Sequence, residues 1–99
     1  MKKEIYYNNL FDYYGELLTE KQQEYFKYYY FDNLSLSEIA DNLNLSRNAI
    51  HKQLKLIEEK LEFYDNKLKL IDKDKKLIDF SNKINDKNLK EELLSIIEL

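Results

Sequence analysis

Residues 35 to 54 read Ser35-Leu36-Ser37-Glu38-Ile39-Ala40-Asp41-Asn42-Leu43-Asn44-Leu45-Ser46-Arg47-Asn48-Ala49-Ile50-His51-Lys52-Gln53-Leu54. Ser35 with Glu38 three positions on is a capping box, in which each side chain satisfies a backbone N–H at the start of a helix. Ile39, Ala40 and Leu43 give that helix its inner face, and Ala40 is small where a second helix can cross closely. Asn44 stands at the expected helix end and tolerates a left-handed backbone. Leu45 is expected to return the chain to the core, and Ser46 to cap a second helix beginning at Arg47. On that helix Ala49, Ile50 and Leu54 fall on one face. Small, apolar and turn residues at these positions are what two helices meeting at about 90–120° require. The stretch predicts a helix-turn-helix.

The rest of the chain agrees with helices. Among its 99 residues proline and cysteine are absent and glycine occurs once, at Gly15. Hairpin turns need residues that take positive φ, so a β-rich fold is excluded by composition and the fold class expected is all-α. Upstream, a helix is predicted over residues 3–14, with Ile5, Leu10, Tyr13, Tyr14 and Leu17 as its apolar stripe and Gly15 as a left-handed stop. Thr19 and Gln22 form another capping box, opening a helix that runs to about Phe31. Of the aromatic run Tyr28-Tyr29-Tyr30-Phe31, two rings are expected in the core and the others at the surface or an interface, where they could stack on bases.

Downstream, Ile50, Leu54, Ile57, Leu61, Tyr64, Leu68 and Ile71 recur at alternating spacings of 4 and 3 residues. This heptad pattern predicts one long helix from Arg47 to about Leu70 and suits coiled-coil packing. The exposed part of the seam, Ile57, Leu61, Tyr64 and Leu68, is a candidate homodimer interface; an intrachain core against later helices is the alternative. Asp72-Lys73-Asp74-Lys75-Lys76 is either a polar hinge or a charged helix surface. It lacks the glycine that a calcium loop needs at its sharp turn. One or two C-terminal helices follow. Two segments are expected: a helix-turn-helix domain over 1–70, and a helical tail over 71–99 packing on it or on a dimer partner.

Charge narrows the function. The chain carries a net −3, which argues against a general polyanion binder. From Met1 to Leu45 four lysines face eight acids, whereas Ser46 to Ile57 contains Arg47, Lys52 and Lys55 and no acid. Removing the inner residues of the second helix leaves Arg47, Asn48, His51, Lys52 and Lys55 facing outward. Arg47 is the only arginine beside fifteen lysines. Its planar fork reads guanine O6 and N7 or clamps a phosphate in a way that lysine does not. Ser46 places backbone N–H donors at the helix start, where phosphates bind. The candidate nucleic-acid-binding residues are therefore Ser46, Arg47, Asn48, His51, Lys52 and Lys55. Arg47 and Asn48 are assigned to base edges or leading phosphates, His51 over the groove, and Lys52 and Lys55 to phosphates.

Other classes find little support. With one histidine and no cysteine, neither a metal site nor a usual nucleophile–base pair can be assembled, so no catalytic residue, metal or cofactor is expected and the protein is read as a non-enzyme. The longest stretch without a charged side chain is seven residues, Ile5 to Phe11. A membrane-spanning helix needs about 18 or more. No signal-peptide core follows the N-terminal Met1-Lys2-Lys3-Glu4, and a soluble, cytoplasmic protein without membrane partners is expected.

Leu17-Leu18-Thr19-Glu20-Lys21-Gln22, then Tyr29 through Ala40, then Asn44-Leu45-Ser46-Arg47-Asn48-Ala49-Ile50 resemble the YlxM-like proteins. These are small helix-turn-helix proteins of low-GC bacteria, similar in turn to region 4 of bacterial sigma factors. Leu10-Phe11-Asp12-Tyr13-Tyr14 fits as well, and the resemblance covers about Ile5 to Leu70. It implies an all-α fold, a dimer, and a DNA-binding helix over Arg47 to Lys55. Genes of the family commonly adjoin the gene for the signal recognition particle GTPase, which implies a regulatory or accessory role in protein targeting. Relatives tend to carry a basic residue at the position of Leu56 and an acid at that of Lys52, so the basic face here is rearranged. The expected function is a DNA-binding regulator, possible partners being DNA, the GTPase or the particle RNA. The alternative is an adaptor that docks on the particle and uses the helix-turn-helix only as scaffold.

Overall fold

Every hydroxyl residue that the sequence marks as a helix start is built as a cap. The Thr19 hydroxyl accepts the Gln22 N–H at 3.1 Å while the Gln22 side chain accepts the Thr19 N–H at 3.0 Å. Ser35 and Glu38 repeat the arrangement at 3.1 and 3.0 Å. Ser46 accepts the Ala49 N–H at 3.1 Å. Each such cap contributes about 1 kcal/mol by satisfying a donor that the first helical turn leaves free.

The computed structural model describes residues 3–99; Met1 and Lys2, read above with the N-terminal stretch, lie outside the described residues. The protein is all-α, with no strand among the described residues. In chain order the helices are α1 (Lys3–Tyr14), α2 (Glu20–Phe26), α3 (Leu36–Leu43), α4 (Arg47–Leu68), α5 (Leu70–Ser81) and α6 (Lys87–Ile97). A 3₁₀ turn, Gly15–Leu17, follows α1, and a π-helical turn, Lys27–Phe31, extends α2. The chain divides into two compact units, the first reaching Lys67 and the second spanning Leu68–Leu99.

Aromatic rings from α1 and α2 build much of the first unit's core. Phe11 stacks on Phe26 with centroids 4.3 Å apart, and Phe26 stacks on Tyr30 at 4.4 Å. Leu10, Tyr14, Leu18, Ile39 and Ala40 are also buried, as are Ile50, Leu54, Ile57 and Leu61 of α4. Burying one such aliphatic side chain contributes roughly 1.5–3 kcal/mol.

Three tyrosines then fasten α4. Tyr30, Tyr7 and Tyr14 donate their hydroxyls to Glu58, Glu62 and Asp65, the last at 2.7 Å. Spacings of 4 and 3 put these acids on one face of α4. Burial, and then the hydrogen bond to the acid, pushes the Tyr7 and Tyr30 hydroxyls well above the ordinary tyrosine value of 10.0.

Several sequence expectations need correction. Gly15 has no positive φ. It is buried, and a Cβ there would meet the Phe11 ring at 3.0 Å, so close approach and not left-handed backbone calls for glycine. The 3₁₀ turn also changes the register: Leu18 is buried, whereas Leu17, Ile5 and Tyr13 are exposed. Asn44 is left-handed as expected (φ 55°), and the Leu45 N–H reaches back to the Ala40 carbonyl at 3.0 Å. That closure is a Schellman motif. It leaves Leu45 42% exposed, so Leu45 is not the core plug expected. Of the run Tyr28 to Phe31 only Tyr30 is buried; Tyr28 and Tyr29 are half-buried and Phe31 is exposed.

α4 ends at Leu68, short of the expected Leu70, because Lys69 takes a left-handed backbone (φ 54°). Ile57 and Leu61 are fully buried within the single chain. They therefore belong to an intrachain core and do not form an exposed seam. Tyr64 is half-buried and Leu68 exposed.

In the second unit the run Asp72 to Lys76 is helix surface in α5, with Lys76 and Asp72 paired at 3.2 Å. Asp86 caps α6 by accepting the Asn88 and Leu89 N–H groups. Ser81 is the one buried side chain of this unit, and its hydroxyl donates to the Ile78 carbonyl.

Candidate nucleic-acid interface

The helix-turn-helix is α3, the turn at Asn44 to Ser46, and the N-terminal half of α4. α3 presents Ile39 and Ala40 inward, and α4 presents Ile50 and Leu54. With the inner face fixed in this way, helical geometry leaves Arg47, Asn48, His51, Lys52 and Lys55 outside. All five are exposed, as is Ser46. None of the five side chains forms a hydrogen bond or ion pair among the described residues. The structure thus brings the six expected site residues together over about two and a half turns of one helix. Ser46 differs from the rest because its hydroxyl oxygen already accepts the Ala49 N–H.

The first turn of α4 contains no acid and begins with Arg47. A helix N-terminus carries partial positive charge, so a cation there is unfavourable by a few tenths of a kcal/mol up to about 1. Among the described residues no side chain forms an ion pair with Arg47. The arrangement concentrates positive potential at the start of α4.

The exposed half of α4 has two flanks. Arg47, His51 and Lys55, spaced four apart, line a groove of about 450 Å³ together with Lys3 of α1, Tyr29 and Glu58. On the other flank Asn48 and Lys52 border a shallow depression beside Ser46, and Lys52, Lys55, Leu56 and Glu59 border another. Leu56 is 54% exposed within this charged surface. Sequence reasoning missed Lys3 and Glu58 as neighbours of the site. Lys3 sits on a different helix and carries no local signal, while Glu58 falls just beyond the acid-free stretch.

The whole sequence matches the profile of the UPF0122 family, described as "Putative helix-turn-helix protein, YlxM / p13 like", over residues 1–98. The chain belongs to the UPF0122 family. A UPF0122 protein of Shouchella clausii is 48% identical over 58 residues, 59% of this chain and 53% of that protein. Another from Desulforamulus reducens is 52% identical over 52 residues, covering 52% and 44% of the two chains. One from Listeria innocua is also 52% identical over 52 residues, covering 52% and 47%. The chain spans about half the length of these curated relatives it matches. Membership establishes the resemblance drawn from Leu17–Gln22, Tyr29–Ala40 and Asn44–Ile50. For this UPF0122 chain no helix among the described residues is long and apolar enough to cross a membrane.

Proposed function

We propose that this UPF0122 protein is a DNA-binding regulator that inserts the N-terminal half of α4 into the major groove of duplex DNA. The observation that carries the reading is the row Arg47, Asn48, His51, Lys52 and Lys55, exposed and without protein partners among the described residues, on the second helix of a helix-turn-helix. A major groove about 12 Å wide accepts one helix, whose leading residues meet the base edges. Arg47 and Asn48 contact bases or the first phosphates, His51 lies over the groove, and Lys52 and Lys55 hold phosphates. The reading includes the role in protein targeting implied by the resemblance, with the signal recognition particle pathway as the regulated process.

It also includes a homodimer, with two α4 helices about 34–36 Å apart to meet successive major grooves. Since Ile57 and Leu61 are buried in the chain's own core, pairing falls to the second unit. None of its apolar side chains is buried; Leu77, Phe80, Leu89 and Ile96 are exposed, and its seven lysines balance its seven acids. A unit of about 30 residues is too small to hold together on its own core. Zero net charge removes a barrier to meeting a second copy. Light scattering at micromolar concentration tests this, and a monomeric mass removes the dimer.

The adaptor reading keeps one supporting observation: Leu56 and Phe63, seven residues apart on α4, are each 54% exposed. An apolar pair at that spacing suits a protein surface better than a phosphate backbone. Competition between duplex DNA and particle RNA for the purified protein, followed by fluorescence anisotropy across a salt series, separates the readings. DNA binding that steepens as salt falls and is lost in Arg47→Ala supports the regulator. Absence of binding to either nucleic acid at low salt rejects it and favours the adaptor.

A further inference from the structure

The groove beside α4 has a composition that the outward row alone does not explain. Its rim carries Lys3, Arg47 and Lys55 against a single acid, Glu58, in a chain whose total charge is −3. Arg47, Lys55 and Glu58 share α4, and the packing of α1 against α4 adds Lys3 to them. Glu58 is already engaged: it accepts the Tyr30 hydroxyl and lies 3.8 Å from the Lys3 ammonium. Lys3 keeps most of its side chain in solvent, at 62% exposure. Tyr29 also lines the groove, half-buried, its ring edge-on to Tyr30 at 5.0 Å. Its hydroxyl has no hydrogen-bond partner among the described residues. Leu36 and Leu54 supply the apolar part of the lining.

Cations, a phenolic hydroxyl without a hydrogen-bond partner among the described residues and apolar side chains along one groove match a phosphodiester and its sugar. The geometry points to this groove as the seat of one DNA backbone strand, with Lys3 and Tyr29 as phosphate-binding residues beside Arg47 and Lys55. This rests on the proposed DNA-binding reading and adds to it a side. A helix in a major groove has one phosphate strand along each flank. His51 and Lys55 border both flanks; the flank toward Lys3 adds Lys3, Arg47 and Tyr29, while the other adds Lys52 among Leu56 and Glu59. The protein therefore grips the two strands unequally, and the Lys3 flank carries the larger share of the salt-dependent affinity. Contacts of this kind fix orientation and register on the duplex without reading sequence.

The test measures duplex affinity by anisotropy over a potassium chloride series for the wild type, Lys3→Gln, Glu58→Gln and Arg47→Ala. One phosphate contact fewer lowers the slope of log affinity against log salt by about 0.9. Lys3→Gln is expected to lower it by that amount on every duplex tried. Glu58→Gln keeps an acceptor for Tyr30 but removes the acid and frees Lys3, so binding should tighten about fivefold. A gain of affinity cannot be mistaken for misfolding. If Lys3→Gln leaves the slope unchanged and Glu58→Gln does not tighten binding, while Arg47→Ala still weakens it, the groove assignment is overturned and the DNA-binding reading stands. If the wild type does not bind duplex at all, both fall.

Discussion

The inner and outer faces of α4 are built on opposite principles. Inward, Ile50, Leu54, Ile57 and Leu61 are almost without solvent exposure, and Glu58, Glu62 and Asp65 beside them receive tyrosine hydroxyls. Outward, Arg47, Asn48, His51, Lys52 and Lys55 touch water and no protein partner among the described residues. Cations crowd the N-terminal end of the helix and acids the second half, against the preference of the helix dipole. The tyrosines offset that cost for the acids. Arg47 has no such partner among the described residues. What the fold needs on this helix is satisfied, and what it leaves unsatisfied is available for a ligand.

The comparison can be broken by exchanging the roles of the two faces. Ile57→Ala removes a fully buried side chain and should destabilise the protein by about 2–5 kcal/mol in urea unfolding. Lys52→Ala in the same assay should stay within about 0.5 kcal/mol, as expected of a surface position. Equal effects would mean that α4 does not have a structural and a free side. Arg47→Ala should raise the unfolding midpoint slightly, as relief of the unfavourable helix-dipole contact requires, and weaken binding to a specific duplex by about 1–3 kcal/mol.

The tyrosine clamp gives a smaller effect with a sign fixed by its chemistry. The Tyr7 and Tyr30 hydroxyls titrate above the ordinary value of 10.0 in the folded protein, so their contribution to stability is complete below pH 10. As pH rises past 10 the unfolded chain loses those protons first, and stability falls until the folded values are reached. Unfolding midpoints measured from pH 8 to 11 should be level and then decline above 10, the decline being reduced in a Tyr7→Phe, Tyr30→Phe variant. A modest effect is expected at the border between the faces. Ser46→Ala removes the α4 cap and should lower stability by about 1 kcal/mol.

Local signals in the chain were enough to place most helix ends. Both capping boxes, the Ser46 cap and the left-handed Asn44 depend only on residues within a few positions of each other, and each is built as its sequence implies. The outward row was legible for the same reason: it lies on one helix whose inner face is marked by Ala49, Ile50 and Leu54. What could not be read depends on tertiary packing. Gly15 is small because the Phe11 ring lies over it. Leu17 and Leu18 exchange places because a tighter turn intervenes, and Lys69 breaks α4 with a lysine where no glycine or asparagine announces a stop. The heptad spacing faces inward only from Ile50 to Leu61, and these residues belong to the chain's own core. Lys3 joined the site only once α1 had packed against α4.

The most direct test of the central claim is amide chemical-shift mapping of the labelled protein during titration with duplex DNA. Shifts should concentrate at Ser46 through Lys55, with the buried positions Ile57 and Leu61 little changed. Shifts that leave Arg47, Asn48, His51, Lys52 and Lys55 untouched, at DNA concentrations where other parts of the chain respond, would contradict it.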